Sequence, residues 1–131
     1  MTTMANIENL DQIRAKNAWT ACNGTTFSNA NGGEIVKKLS PMIRENGMLG
    51  ALAFALAKLD REAEGFTKAF DAITIHLKSI GKINAPTAAG LQSELLDCDS
   101  VKLRDVTAET MLYLDYLRRF GKKKQKDNSN E

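Results

Sequence analysis

Residues 48–57, Met-Leu-Gly-Ala-Leu-Ala-Phe-Ala-Leu-Ala, are apolar without interruption. Ser40-Pro41 just upstream is the pairing expected at a helix start, because Ser can accept an orphan amide and Pro has no amide to lose. The run is therefore read as helical from Pro41. A helix apolar on every side has no face to give to water, and spanning a bilayer takes about 20 apolar residues. This shorter run is expected to be the hub of a protein core, with other helices around it. Gly50, Ala51, Ala53, Ala55 and Ala57 let neighbours approach closely, while Leu52, Phe54 and Leu56 supply bulk. On that reading Phe54→Ala removes a core aromatic, at a cost of about 3–5 kcal/mol.

A chain of 131 residues fits one domain with a core that needs no metal or disulfide staple. Only two prolines, few aromatics and abundant Ala and Leu favour helices. The expected fold is an all-α compact bundle of about five to six helices around the central apolar helix, over residues 1–121, followed by a disordered basic and polar tail over 122–131. Cys22 and Cys98 have no CxxC spacing and read as reduced thiols. The N-terminal residues lack the pattern of a secretory signal, so the expected compartment is the cytoplasm.

Charge is unevenly spread. Residues 1–99 carry 10 Lys/Arg against 11 Asp/Glu, and residues 100–131 carry 8 against 5. The positive excess lies in the last quarter, where it either attracts phosphates or keeps a chain end solvated.

The first helix is expected over about 6–22, with Ile7, Leu10, Ala18 and Ala21 on one side and Arg14 on that same side. A cation on a core-facing stripe reads first as paired with a carboxylate and only second as a ligand contact. Residues 23–33 are too rich in Gly, Asn and small polar residues for regular structure. A short helix over 34–39 leads to the central one, in which Gly47 marks a bend. Phe66, Phe70, Ile73, Leu77 and Ile80 recur at helical spacing over 61–80, with Gly81 as the stop. A shorter helix is expected over 88–96. The last, beginning at 101 or 106 and ending at 120, places Val106, Thr110, Tyr113, Leu117 and Phe120 on an inner face. Arg104, Asp115, Arg118, Arg119 and Lys122 fall on the outer one.

No catalytic constellation stands out. His76, the one histidine, has no second His or Cys pair beside it and reads as a helix-surface residue. Asp60, Glu62 and Glu64 read as the acidic start of a helix, where the dipole favours them. No metal ligand set, cofactor motif or phosphate-cradling loop is present, so a binding or scaffolding role is expected, and any nucleic-acid contact should be electrostatic.

Leu39-Ser40-Pro41-Met42-Ile43, Asn46-Gly47-Met48 and Leu52-Ala53-Phe54, followed by Arg104-Asp105-Val106-Thr107-Ala108-Glu109 and Leu114-Asp115-Tyr116-Leu117-Arg118-Arg119-Phe120, resemble the small subunit of type III-B CRISPR (Cmr) effector complexes. Arg14-Ala15 with Ala18 resembles that family's first helix. Leu103, Met48 and Tyr116 depart from its usual aromatic, Leu and Trp, but keep apolar character. The resemblance implies a noncatalytic subunit without cofactor that stacks with copies of itself beside the larger backbone subunits and lines the groove holding target RNA in antiviral defence. Its implied partners are those backbone subunits, the large subunit and guide and target RNA, with no membrane contact. Lys58, Arg104, Arg118 and Arg119 are the implied RNA contacts, with Arg14 and Lys16 after them. The alternatives are a stand-alone helical adaptor without nucleic acid and an enzyme whose site forms only on assembly.

Overall fold

The computed structural model describes residues 9–23, 32–57 and 61–129. Five helices follow in order: α1 (Leu10–Asn23), α2 (Gly32–Ala57), α3 (Arg61–Ser79), α4 (Ala88–Leu96) and α5 (Ser100–Ser129). Residues 1–8, most of the expected 23–33 loop, and Lys58 lie outside the described residues.

Local chemistry sets the helix ends. Before α1, the Asn9 side chain accepts from the Gln12 amide at 2.8 Å and the Gln12 side chain from the Asn9 amide at 3.0 Å. This reciprocal capping box starts the helix at Leu10 rather than near residue 6. Thr87 caps α4 by accepting from the Gly90 amide. Asp99 caps α5 by accepting from the Lys102 amide at 2.8 Å. At the end of α3, Gly81 takes φ 79°, its amide reaches the Lys78 carbonyl, and the Lys82 amide reaches the Leu77 carbonyl. Only a residue without Cβ adopts this closing turn readily. The backbone of α5 stays helical past the expected end at 120, to Ser129.

The expected helix start at Pro41 is not observed: α2 is already helical from Gly32 and carries Pro41 inside it. Ile35, Val36, Leu39 and Ile43 are all buried and form one stripe across the proline. Their burial outweighs the lost hydrogen bond, and Pro41 itself lies on the solvent side. The break comes instead at Gly47, with φ 82° and ψ 164°, a backbone region that is essentially glycine's alone.

As a whole, α2 packs on α3, α4 and most extensively on α5. Met48, Ala51, Leu52 and Ala55 are buried, but Gly50, Ala53 and Ala57 are exposed and Leu49, Phe54 and Leu56 are half-buried. The hub is thus enclosed on three flanks rather than all round. Small side chains on the open flank keep the apolar area in water low. The bulkier part of the remaining core comes from Phe66, Phe70, Ile73 and Leu77 of α3, Leu91 and Leu95 of α4, and Val106, Tyr113, Leu114 and Leu117 of α5, with Ala18, Ala21 and Cys22 of α1 against it. The buried Thr74 and Thr110 hydroxyls each donate to a carbonyl one turn back, at 2.7 and 2.8 Å. Cys22 and Cys98 are thiols, the first of them buried.

Phe54 meets Phe66 edge to face at 5.7 Å from its half-buried position, so the expectation that it anchors the core is corrected in favour of fully buried Phe70. Phe70→Ala should cost about 3–5 kcal/mol and Phe54→Ala less than half of that, measured by denaturant unfolding. Equal losses would show that the flank of α2 bearing Phe54 is covered.

Candidate nucleic-acid interface

The site is built from α1 and α5, so what fixes those two helices against each other determines its geometry. Arg14 of α1 points inward. Its Nε donates to Glu109 Oε2 at 2.7 Å and its Nη2 to Oε1 at 2.8 Å, a two-pronged contact with a carboxylate that is only 4% exposed. Of the two readings of Arg14, pairing within the fold is the one observed.

His76 corrects its expectation. It is fully buried, with its ring stacked on Tyr113 at 4.3 Å and 6°. Asn17 Nδ2 lies 2.8 Å from Nδ1 and Glu109 Oε2 2.9 Å from Nε2. Since the Asn17 amide can only donate, Nδ1 accepts and the proton of the neutral ring is on Nε2, donating to Glu109. Asn17 also donates to Ser79 Oγ at 2.9 Å, and Ser79 donates to the His76 carbonyl at 2.7 Å. Among the described residues, every buried side-chain polar atom has a partner.

Electrostatics follow from this geometry. Burial pushes the Glu109 carboxyl up, but the hydrogen bonds from Arg14 and His76 outweigh it and hold the group below its ordinary range. Burial dominates at His76 and holds the imidazole below its ordinary value in spite of Glu109. Arg14 is held further in its charged form by Glu109. The network is internally satisfied, with both imidazole nitrogens of His76 engaged by protein partners, which suits a structural pin. Among the described residues no group of three or more His, Cys, Asp or Glu could hold a metal ion, and no helix is long and apolar enough to cross a membrane.

The outward cations lie elsewhere. Arg104 and Arg119 are exposed and Arg118 is half-exposed along the outer side of α5. Arg118 and Arg119 share Asp115 at 3.5 and 3.7 Å, exposed contacts worth only about 0–1 kcal/mol. Lys16 is exposed on α1. The side chain of Lys122 lies outside the described residues. Val101 and Leu112, 65% and 50% exposed, share the outer side of α5 with the arginines, an apolar component that the charge pattern alone does not reveal.

These features define a small all-helical bundle whose polar chemistry is internal and whose last helix turns cations and a few apolar side chains outward. A family model described as CRISPR-associated protein (Cas_Cmr5) matches residues 10–123. The chain belongs to that family, the small subunits of the type III-B CRISPR (Cmr) complex. No curated protein and no solved structure matches it.

Stability should depend on pH through His76. The unfolded chain binds a proton near pH 6.5, where the buried ring does not, so stability is full above about pH 6.5 and falls as pH drops toward the lower folded value. Glu109 acts in the same direction below about pH 4.3. Wild type should lose thermal midpoint steadily from pH 6.5 to 5, and His76→Gln should lose most of that slope. Equal slopes in the two proteins would contradict a buried neutral imidazole.

Proposed function

We propose that the chain is a noncatalytic subunit that stacks with copies of itself beside the backbone subunits of a Cmr effector, and that the outer side of α5 faces target RNA. The observation that carries this reading is the set of three outward arginines, Arg104, Arg118 and Arg119, in a chain of the Cmr small-subunit family. The ion pairs of Arg118 and Arg119 with Asp115 are weak enough to be exchanged for phosphate. Lys16 and Lys58 are secondary candidates. Arg14, already held by Glu109 on two oxygens, is assigned instead to positioning α1. The sealing of His76 supports the noncatalytic assignment, since a general base needs access to its substrate. Residues 1–121 then form the packed unit, with the basic segment 122–131 as an appendage to it.

Exposed Val101 and Leu112 favour a second reading, in which this face docks on a neighbouring subunit. Both readings are tested by reversing Arg104, Arg118 and Arg119 to Glu. RNA affinity of the assembled complex should fall at every sequence alike, and the slope of log affinity against log salt should shrink by up to about 2, at about 0.7 per single-strand phosphate contact. Intact assembly with unchanged affinity and slope would remove these arginines from the RNA path. Failed assembly would assign the face to subunit contacts.

A further inference from the structure

The chain's one tryptophan is only about half covered by the fold. Trp19 is 51% exposed, whereas Ala18, Ala21 and Cys22 of the same helix and Leu117 of α5 are all buried. Its indole packs edge to face on Phe120 at 5.3 Å, and Phe120 lies over Tyr116 at 6.1 Å with 29° between the rings. The Tyr116 hydroxyl is fixed by Asp11 Oδ2 at 2.6 Å. Three aromatic rings thus run across the α1/α5 seam as one surface, anchored at the Tyr116 end and open to water at the Trp19 end.

Cations flank this surface on both helices. Lys16 is exposed one turn before Trp19, and Arg119 is exposed next to Phe120 and three residues after Tyr116. An exposed aromatic ring bordered by cations is the arrangement by which proteins hold single-stranded nucleic acid: the π-face takes a base and the cations take the adjoining phosphates. We infer that Trp19 is a base-stacking platform for an unpaired nucleotide of single-stranded RNA, with Lys16 and Arg119 on its flanking phosphates. This rests on the RNA reading given above and adds to it a stacking contact, which the arginines of α5 do not supply.

Because Trp19 is the sole tryptophan, its fluorescence reports on the site directly. The full chain is titrated at low salt with a fluorescently labelled single-stranded RNA of mixed sequence, following RNA anisotropy and Trp19 emission together. Saturable quenching that tracks binding is expected, with none from the same RNA as a duplex, whose bases are already stacked. Trp19→Ala should weaken binding about 5- to 140-fold, the equivalent of ~1–3 kcal/mol for a stacked base at ~1.4 kcal/mol per decade, while Trp19→Phe should retain most of the affinity. Circular dichroism of both variants checks the fold, and quenching in the unmutated chain tests the idea even if Trp19→Ala unfolds. Binding by anisotropy with unchanged emission would overturn the stacking role and leave the arginine reading standing. No binding by the full chain, together with an unaffected Arg-to-Glu complex, would overturn both. A blue shift on addition of partner subunits without RNA would overturn it in favour of a protein contact.

Discussion

The bidentate pair between Arg14 and Glu109, with His76 as its third member, is the contact on which the arrangement of three helices depends. A carboxylate as buried as that of Glu109 costs several kcal/mol unless its lone pairs are satisfied. They are satisfied only when α1 brings Arg14, and α3 brings His76, to the same point on α5. Turning α1 by one residue moves Arg14 by about 100° and strands the carboxylate. Apolar packing alone would tolerate several registers of Ala-rich α1, whose inner side offers mainly Ala18, Ala21 and Cys22. The polar contact selects among them.

That selection carries outward. With Arg14 turned in, Lys16 and Trp19 fall on the other side of α1, and with Glu109 turned in, Arg104, Arg118 and Arg119 face away from the bundle on α5. The aromatic seam of Trp19, Phe120 and Tyr116 closes between the same two helices. The surface proposed to face RNA is therefore presented by the two helices that the buried pair holds together. The kinked α2 supplies the apolar floor on which α5 rests. Separation of a sealed polar interior from a cationic exterior also explains how a chain with so little net charge can offer a basic face.

Much of this was legible in the residues. The α3 stripe of Phe66, Phe70, Ile73 and Leu77, the Gly81 stop, α4 and the inner face of α5 all follow from apolar spacing and end signals, because those segments are amphipathic and packed on one side. The blocks resembling the Cmr small subunit point to the family that the match over residues 10–123 establishes. A lone histidine with no second His or Cys pair reads as a helix-surface residue, and the only signal of the burial of His76 is its position three residues after Ile73 and one before Leu77, near the core stripe. Glu109 carried the same signal, three residues after Val106 and four before Tyr113. An acid and a base on inner faces, with Arg14 on a third, mark a buried polar node. The open flank of α2 was not legible, because a run apolar at every position has no periodicity to reveal which side is left in water. Nor was the continuous helix through Pro41, since a local start signal yielded there to burial of the stripe from Ile35 to Ile43.

A double-mutant cycle on Arg14 and Glu109 tests the central dependence most directly. Unfolding free energies of wild type, Arg14→Met, Glu109→Met and the double variant, measured in urea, isolate the energy of the pair. Each single variant should be strongly destabilised, because it leaves the remaining charge without its two-pronged partner, and the double variant should recover much of the loss, giving a coupling of about 2 kcal/mol or more. Losses that add to within about 0.5 kcal/mol would contradict the account and assign the register of α1 to apolar packing.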